Sequence, residues 1–368
     1  MFLKRLQVTN FKNYSEVDLN FATDIVSLTG RNGMGKTNLL DAIYYLSFTK
    51  SAINPSDPQT IRHGESFFLT KGVISRGDNE HTLQCSYQTN AKKSFLVDKI
   101  PLEKMSDHIG EFPVVLISPN DTDLVREWSE LRRKFFDGLI SQINRDYLEA
   151  LIRYSHFLKQ RNSLLKTSSG SPDNQLLDQY DDELVKSGTV LWKVRKQFIE
   201  QFKPVFLKNY QALAGEESVG INYLSDFEKF NPTEQFKKVR QRDILSQRST
   251  FGVHRDDFEF LLGERAIKKV GSQGQQKSFI ISLRTAQFEI IKESKGIKPL
   301  LLLDDIFDKL DDERINRMTR LIEGDIFGQI FITDARPERT RSLLDQVDKK
   351  VMIFEVLNGK ITQGELSK

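Results

Sequence analysis

Eight residues near the start of the chain have the types and spacing of a phosphate-binding loop. The segment Gly30-Arg31-Asn32-Gly33-Met34-Gly35-Lys36-Thr37 matches the pattern G-x-x-x-x-G-K-[ST]. Its glycines let the backbone approach phosphate closely, so that N–H groups surround the oxygens. The Lys36 ammonium would reach the β- and γ-phosphates, and the Thr37 hydroxyl would ligate Mg²⁺. The loop predicts a nucleoside triphosphate site; the alternative is a glycine-rich turn between a strand and a helix.

Two acids at the end of a leucine run supply a second part of such a site. Leu300 to Leu303 are all leucine, and they precede Asp304 and Asp305. An apolar strand that ends in acids places carboxylates at the carboxyl edge of a parallel sheet, where ligands bind in open α/β folds. We expect Asp304 to lie on the Mg²⁺ side and Asp305 to polarise the water that attacks the γ-phosphate. The alternative is an exposed pair of acids at a strand end.

A third segment, Ser272-Gln273-Gly274-Gln275-Gln276, offers another anion site. It follows Val270-Gly271 and leads directly into a predicted helix. A serine hydroxyl, a glycine N–H and a helix N-terminus all favour negatively charged ligands.

Strands and helices alternate around these three segments. Apolar periodicity predicts strands at 25–29, 300–303 and 329–333, and helices at 36–47, 275–292 and 312–322. A small antiparallel sheet is predicted at 67–97, and a hairpin from strands at 258–262 and 266–270. This order predicts an α/β fold with a mostly parallel sheet that is covered on both faces.

Helical sequence interrupts the α/β pattern. A stripe of apolar residues at helical spacing runs from about 129 to 166, and a loop follows at 167–174. Apolar residues then recur at every seventh position from Leu177 to Val205. We expect a helical hairpin that packs on itself as an arm, because a dimerising coiled coil needs a cleaner and longer repeat. The predicted domains are a first head part at 1–112, an inserted helical arm lobe at 113–210 and a second head part at 211–368.

Composition narrows the classes of protein. The chain has 368 residues, of which 38% are hydrophobic and 29% charged, with a formal net charge of +3. This charge alone does not indicate nucleic-acid binding, which would need the cations gathered on one face. No apolar run approaches the ~20 residues that span a bilayer. Cys85 is the single cysteine, so one chain has no disulfide framework, and we expect a cytoplasmic protein without a membrane partner.

Taken in order, the motifs resemble those of ABC ATPases. The phosphate loop, the Ser272–Gln276 segment, the leucine strand with two acids and then Asp308-Lys309-Leu310-Asp311 look like the Walker A, signature, Walker B and D-loop. The resemblance implies an α/β ABC-type P-loop ATPase head with an inserted, mainly helical arm lobe. It also implies ATP and Mg²⁺ as cofactors and a homodimer on ATP binding, in which Ser272 and Gly274 act on the partner's γ-phosphate.

Three further segments resemble the RecF family of SMC-like ABC ATPases. They are Leu6 to Tyr14, the stretch from Pro113–Asp123 to Leu131–Asp137, and Gly252 to Asp257. The likeness covers essentially the whole chain. In the first segment Lys12 stands for a usual arginine that reaches the phosphates. Two further residues depart from the family pattern: Asp41 replaces a usual glutamate, and Asn120 lies in a segment that usually reads Ser-Pro-Glu-Asp.

The resemblance implies a site and a role. The residues expected to contact ATP are Lys12, Gly30, Arg31, Asn32, Gly33, Met34, Gly35, Lys36, Thr37, Asn38, Ser272, Gln273, Gly274 and Gln275, with Thr37 and Asp304 at the metal and Asp305 catalytic. The implied role is recombinational repair and replication-fork maintenance within the SOS response to DNA damage. The partners would be double-stranded DNA, including its junctions with single strands, and RecR and RecO-type mediators that help to load the recombinase.

Two residue types bear on the hydrolysis rate. Asp305 is one methylene shorter than the glutamate of most ABC ATPases, and Thr333 stands where transporters carry a switch histidine. We expect a weak ATPase with turnover below about one per second, in which hydrolysis releases the dimer from DNA.

Four basic clusters are candidates for DNA contact: Arg132-Arg133-Lys134; Lys193, Arg195 and Lys196; Lys237, Lys238, Arg240 and Arg242; and Arg336, Arg339 and Arg341. A charge run is more often a solvated face. Contacts to the DNA backbone would bind without reading sequence.

Three alternative functions remain. A transporter ATPase would carry a Leu-Ser-Gly-Gly-Gln signature, a glutamine loop and the switch histidine, and none of these is intact. An ATPase-nuclease of the OLD type needs a nuclease domain after the Walker B strand, and we expect the residues after Asp304 to be too few for it. A scaffold that binds ATP without hydrolysis fits the same residues.

Overall fold

The structure is a computed structural model that describes residues 1–54, 56–168, 172–306, 312–324, 326–336, 338 and 347–367. The chain divides into two compact units. Unit 1 comprises residues 1–121, 212–214 and 277–368, and unit 2 comprises residues 122–211 and 215–276. No helix in the described ranges combines the length and the apolar character needed to cross a membrane.

An antiparallel sheet of six strands forms one layer of unit 1. Its strands are β1 (Phe2–Phe11), β2 (Tyr14–Asn20), β4 (Phe67–Arg76), β5 (Asn79–Gln88), β6 (Ser94–Val97) and β7 (Ile100–Pro101). They pair in the order β2-β1-β4-β5-β6-β7. Alternation of apolar and polar residues makes one face apolar, as in β1, where Leu6 and Val8 are buried.

A second sheet of six strands is mostly parallel and carries the candidate site. Its strands are β3 (Ile25–Thr29), β8 (Val114–Ile117), β12 (Leu300–Asp304), β13 (Ile330–Asp334), β14 (Val351–Leu357) and β15 (Lys360–Ser367). The order is β15-β14-β3-β13-β12-β8, and only β15 pairs in the antiparallel direction. Every residue of β3, β12 and β13 is buried, as expected for parallel strands with both faces covered.

Helix α1 (Lys36–Phe48) packs between the two sheets. Its apolar residues on one side meet β1, β4 and β5, and those on the other meet β8, β12 and β13. Because α1 is enclosed in this way, ten of its thirteen residues are buried. The start of α1 is thereby fixed relative to the ends of β3, β12 and β13. Unit 1 also contains most of the long helix α8 (Gln273–Lys295) and the helix α9 (Asp312–Glu323).

Unit 2 is mainly helical. Its helices are α2 (Thr122–Arg126), α3 (Ser129–Ile143), α4 (Arg145–Thr167), most of α5 (Asn174–Ala214), α6 (Pro232–Ser246) and α7 (Ile267–Val270). A small antiparallel sheet joins β9 (Val219–Leu224), β10 (Asp257–Leu262) and β11 (Arg265–Ala266). Helices α4 and α5 pack together through the ion pair between Arg161 Nε and Asp181 Oδ1, at 2.6 Å, and through the rings of Phe157 and Tyr180.

The structure differs from the sequence predictions at three places. The predicted strand 266–270 is wrong, because only Arg265–Ala266 pairs with β10 and the next four residues form α7. The predicted helix 129–166 is two helices, since Asn144 leaves the helical conformation and its side chain caps α4 by accepting from the Tyr147 N–H at 2.9 Å. Unit 2 also differs from the predicted arm at 113–210, because residues 215–276, with β9 to β11, pack with the helices and β8 belongs to unit 1.

Candidate nucleotide-binding site

The phosphate-binding loop has a backbone path that only glycine accepts at two positions. Gly30 has φ 146°, and a Cβ there would lie 2.3 Å from the Val356 carbonyl oxygen. Gly35 has φ 114°, and a Cβ there would lie 2.4 Å from Asn13 Nδ2. Real Cβ atoms do not approach other atoms so closely, and positive φ disfavours side chains. The two glycines therefore fix both ends of the loop between β3 and α1.

The turn between β1 and β2 supports the loop from outside. Asn13 Nδ2 donates to the Met34 carbonyl at 3.2 Å, and the Asn13 amide oxygen accepts from Asn38 Nδ2 at 2.7 Å. The Tyr14 hydroxyl donates to the Gly35 carbonyl at 3.0 Å. These bonds hold the Met34 and Gly35 carbonyls against the β1–β2 turn and so fix the backbone at the end of the loop.

The start of α1 is suited to an anion. Gly35 is the N-cap and has no side chain that could cap the helix, so N–H groups of the first turn are available to an anionic ligand. Lys36 is buried, and its ammonium donates to the carbonyls of Gly30, at 2.8 Å, and Arg31, at 3.2 Å. A cation folded beneath an uncapped helix start fits the polyphosphate of a nucleotide.

Thr37 and Asp304 meet at the carboxyl edge of the parallel sheet, as the sequence predicted. Thr37 Oγ1 donates to Asp304 Oδ1 at 2.8 Å, although the two residues are 267 positions apart. The Thr333 hydroxyl donates to the same oxygen at 2.7 Å. Burial raises the pKa of the Asp304 carboxyl, while these two hydroxyls and the charges of Lys36 and Lys12 act against the rise.

This edge also fits a magnesium ion bound to a nucleotide. The described residues include no group of three or more His, Cys, Asp or Glu that could hold a metal alone. Mg²⁺ usually takes one or two protein oxygens together with substrate phosphates and waters. A hydroxyl and a carboxylate, supplied by Thr37 and Asp304, match that requirement.

Asp305 lies directly after β12 in a strained conformation. Its φ is 45°, which is uncommon for a residue with a side chain. Its N–H is held by Thr333, with 3.2 Å to the carbonyl oxygen and 3.0 Å to Oγ1. The following residue is anchored too, because Lys277 Nζ donates to the Ile306 carbonyl at 3.2 Å. The structure thus fixes the backbone from which the Asp305 carboxylate projects.

Lys12, which the sequence predicted to reach phosphate, forms an ion pair with Asp41. Lys12 Nζ lies 2.7 Å from Asp41 Oδ2, and both side chains are buried. Asp41 also accepts from the Ser51 hydroxyl and the Ala52 N–H, each at 2.7 Å. Sequence reasoning named both residues as departures from a family pattern and missed their pairing. The available signal was that both replacements, lysine for arginine and aspartate for glutamate, occur together in one chain.

The signature segment, which belongs to unit 2 up to Gln276, begins with a capping box. The Gln275 N–H donates to Ser272 Oγ at 3.2 Å, and the Ser272 N–H donates to Gln275 Oε1 at 2.8 Å. Gln275 Nε2 also donates to Glu217 Oε1 at 3.0 Å. The Ser272 and Gln273 side chains are exposed, so this helix start is open to a ligand or a partner.

Comparison with known proteins decides the family. The model of the RecF/RecN/SMC N terminal domain family matches residues 2–362. A protein of Cytophaga hutchinsonii named DNA replication and repair protein RecF is 43% identical, over 99% of this chain and 97% of the relative. The chain belongs to the RecF family. A Flavobacterium johnsoniae protein of the same name is 42% identical, over 97% of this chain and 100% of its own length.

Solved structures agree with the family and confirm the predicted fold class. A structure described as the recombination mediator protein RecF-ATP in the RecFOR pathway has a TM-score of 0.88 and 28% identity, covering 99% of this chain and 98% of the other. An SMC head bound to the C-winged helix domain of ScpA has a TM-score of 0.57 and 16% identity, over 99% and 98% of the two chains, and shares the fold. Full-length agreement with RecF proteins argues against the transporter and OLD-type alternatives.

Within unit 1 the structure brings together Lys12, the loop from Gly30 to Asn38, Asp304 and Asp305. Arg31, Asn32 and Gly33 are exposed at the tip of the loop. The D-loop, Asp308 to Asp311, lies outside the described residues. Sequence reasoning noted Thr333 only as a replaced histidine and missed its contacts with both acids. Asn13 and Tyr14 were also missed as loop supports, since nothing in their types marks them as functional.

The basic clusters divide into internal and exposed cations. Arg132 is buried and forms a bidentate ion pair with Asp257, in which Nε donates to Oδ1 at 2.8 Å and Nη2 donates to Oδ2 at 3.0 Å. Arg195 is buried between Asp137 and Asp256. These two arginines are therefore structural, and the interpretation of their clusters as DNA contacts is wrong for them. Arg339 and Arg341 lie outside the described residues.

Proposed function

We propose that this protein binds ATP and Mg²⁺, dimerises in the ATP-bound state and holds double-stranded DNA during repair and replication. The observation that carries the proposal is the meeting of Thr37, Asp304 and Thr333 beside an uncapped α1 start, with the Lys36 ammonium beneath it. Solved relatives described as RecF-ATP and relatives named DNA replication and repair protein RecF support it.

Each residue of the site has a role in this proposal. The N–H groups from Gly33 to Thr37 would bind the phosphates, and Lys36 would exchange its carbonyl partners for phosphate oxygens. Thr37 and Asp304 would hold Mg²⁺, which neutralises charge on the phosphates when bound. Asp305 would orient and polarise the attacking water. Ser272 and Gly274 of one protomer would complete the site of its partner.

The proposed slow hydrolysis is explained by Asp305, the acid that would polarise the attacking water. Asp305 is shorter than glutamate, and the Thr333 bonds to its N–H fix the backbone that carries it. A short side chain on a fixed backbone has little freedom to approach the water closely. We infer that ATP binding closes the dimer on DNA and that slow hydrolysis opens it.

DNA contact is assigned to α6. Lys237, Lys238 and Arg242 are exposed there, and no described residue forms an ion pair with them. Arg240 of the same cluster pairs instead with Asp178 and Asp181. By family, the DNA would be duplex next to single-stranded gaps, RecO and RecR-type proteins would be partners in recombinase loading, and the setting would be the cytoplasm and the SOS response.

The test is binding of labelled double-stranded DNA over a salt series, with and without ATP–Mg²⁺. The variants are Lys36→Met, which removes the buried ammonium, and Lys92→Met, which removes an exposed lysine outside the site. We expect ATP to strengthen binding for the native chain and Lys92→Met but not for Lys36→Met. We also expect affinity to fall steeply with salt.

Two results would contradict the proposal. Equal affinity with and without ATP, for protein shown to bind ATP, would separate the nucleotide site from DNA binding. No DNA binding in any condition, including with RecO and RecR-type partners added, would remove the DNA role.

A further inference from the structure

Trp128 is a feature of unit 2 that the proposed site leaves unexplained. It lies in the corner between α2 and α3, and its side chain is 79% exposed. A large aromatic side chain in water forgoes the burial that normally stabilises it. Exposed tryptophans at well-ordered positions are typical of protein–protein contacts, where they often dominate the binding energy.

The corner that carries Trp128 is held in place by buried and half-buried arginines. Arg132 Nη1 donates to the Glu127 carbonyl at 3.0 Å, while its other nitrogens pair with Asp257. Arg133 Nη1 donates to Ser129 Oγ at 2.7 Å and to the Asp256 carbonyl. The residues on both sides of Trp128 are therefore bonded to the body of unit 2, so the ring is presented at a defined position.

The same corner is tied to the signature segment. Helix α2 packs against α7, which ends at Val270 just before the segment. Arg126 Nε donates to Gln276 Oε1 at 2.9 Å, and Gln276 Nε2 donates to the Gly271 carbonyl at 2.9 Å. Trp128 follows Arg126 by two positions. The tryptophan and the signature helix start thus belong to one connected part of unit 2.

The surface around this part combines apolar and cationic groups. Val270 is 42% exposed, and Lys268 and Lys269 beside it are exposed without an ion-pair partner among the described residues. Ser272 adds a hydroxyl at the helix start. Such a surface complements a partner that offers apolar area next to negative charge. A second copy of this chain with nucleotide on its phosphate loop would supply that negative charge.

We propose that Trp128 is a contact of the ATP-dependent dimer, buried when the signature surface of one protomer docks on its partner. This inference rests on the proposed function, and it adds a residue that takes no part in nucleotide chemistry. The tryptophan supplies affinity between protomers, while Ser272 and Gly274 act on the nucleotide.

Tryptophan fluorescence of a single-tryptophan variant reports directly whether Trp128 becomes buried. The chain has two tryptophans, and Trp192 lies half-buried on α5. In Trp192→Phe, all tryptophan emission comes from Trp128. On addition of ATP–Mg²⁺ we expect a blue shift and weaker acrylamide quenching, both growing with protein concentration. Lys36→Met in the same background should show neither change.

Sedimentation velocity with ATP–Mg²⁺ measures how much Trp128 contributes to the affinity between protomers. Trp128→Ala should weaken the dimer by about tenfold or more, as for an interface hot spot, with ATP affinity of the monomer unchanged. Trp128→Phe should retain most of the dimer affinity. The matched control is Leu245→Ala on α6, which removes an 85% exposed apolar side chain and should leave the dimer unchanged.

The outcomes separate the two proposals. A dimer that forms with ATP while Trp128 emission stays constant overturns this inference and leaves the proposed function intact. A shift that follows DNA instead of ATP also overturns it. Absence of any dimer with ATP, for protein shown to bind ATP, overturns the dimer itself and this contact with it.

Discussion

Lys12 and Asp41 form a buried ion pair beside the phosphate-binding loop, with 2.7 Å between Nζ and Oδ2. The two residues come from the β1–β2 turn and from α1, one turn after Thr37. Burial raises the pKa of the Asp304 carboxyl, and Lys12 is close enough to it for its charge to oppose that rise slightly. The pair therefore fixes the position of the Lys12 ammonium, whose charge is balanced by the Asp41 carboxylate.

Breaking this pair should cost stability. Asp41→Ala leaves the Lys12 ammonium buried without its partner, and such losses typically amount to about 3–5 kcal/mol. Ser51→Ala is the matched control, because it removes one hydrogen bond to Asp41 and keeps the ion pair. The measurement is urea unfolding of both variants. Equal losses would show that the ion pair itself contributes nothing.

Gly35→Ala should impair both folding and nucleotide binding. The new methyl group would meet Asn13 Nδ2 at 2.4 Å and the Tyr14 hydroxyl at 2.9 Å, so the loop must move. Gly64→Ala is the control, since Gly64 also has positive φ but no atom lies within 4 Å of a Cβ. We expect Gly64→Ala to cost about 1 kcal/mol from backbone strain alone, and Gly35→Ala clearly more. Thermal unfolding and ATP titration would report the two effects.

Asp305→Asn should lower ATP turnover by about a hundredfold or more, the usual effect of removing a general base. ATP-dependent DNA binding should persist, because the phosphate and metal ligands remain. Phosphate release and DNA binding are measured on the same preparation. Turnover equal to that of the native chain would remove Asp305 from the mechanism.

Three exposed cations of α6 should set the salt dependence of DNA binding. Replacing Lys237, Lys238 and Arg242 with alanine should reduce the slope of log affinity against log salt by about 0.9 for each phosphate that the variant no longer neutralises. The effect should be similar for all DNA sequences. An unchanged slope would place the DNA on another surface.

Acid should destabilise unit 2 through His254. Burial lowers the pKa of the His254 imidazole to about 4, and its ring is bonded to the Tyr154 hydroxyl and the Ser249 carbonyl. Its usual pKa is about 6.5, so the unfolded chain binds the proton first. The folded state is thus fully favoured above pH 6.5 and loses on the order of 1 kcal/mol per pH unit between about pH 6.5 and 4.

The check is the free energy of unfolding of the native chain and of His254→Gln at pH 7 and pH 5. The variant should lose less stability on acidification than the native chain. Parallel pH profiles would assign the acid sensitivity to other groups.

Much of the fold and of the candidate site could be predicted from short local patterns in the sequence. The phosphate loop, the acid-ended leucine strand and the signature segment are short, and their chemistry depends on neighbours in sequence. The order of strands and helices around them predicted the parallel sheet. The carboxyl edge then followed, because parallel strands present their ends together, and Thr37 and Asp304 do meet there.

What sequence reasoning missed depends on distant contacts. Arg132 and Arg195 have the same side chain as surface arginines, and only the acids that pack against them make them internal. The segment after Ala266 has apolar and basic residues that suit a strand, but it has no partner strand beyond the short pairing of β11. Lys12 contacts Asp41 only because β1 and α1 pack together in the folded chain.

The Thr333 hydroxyl joins the two acidic residues through a single oxygen atom. It donates its hydrogen to Asp304 Oδ1, and its oxygen accepts the Asp305 N–H. Rotation of the side chain away from Asp304 would also move the oxygen from the Asp305 N–H. Any group that displaces the Thr333 hydroxyl from Asp304 would therefore weaken one of the two bonds to the Asp305 N–H, while the bond to the Thr333 carbonyl oxygen remains. A ligand that engages the Asp304 carboxylate would in this way also change the hydrogen bonding of the Asp305 backbone.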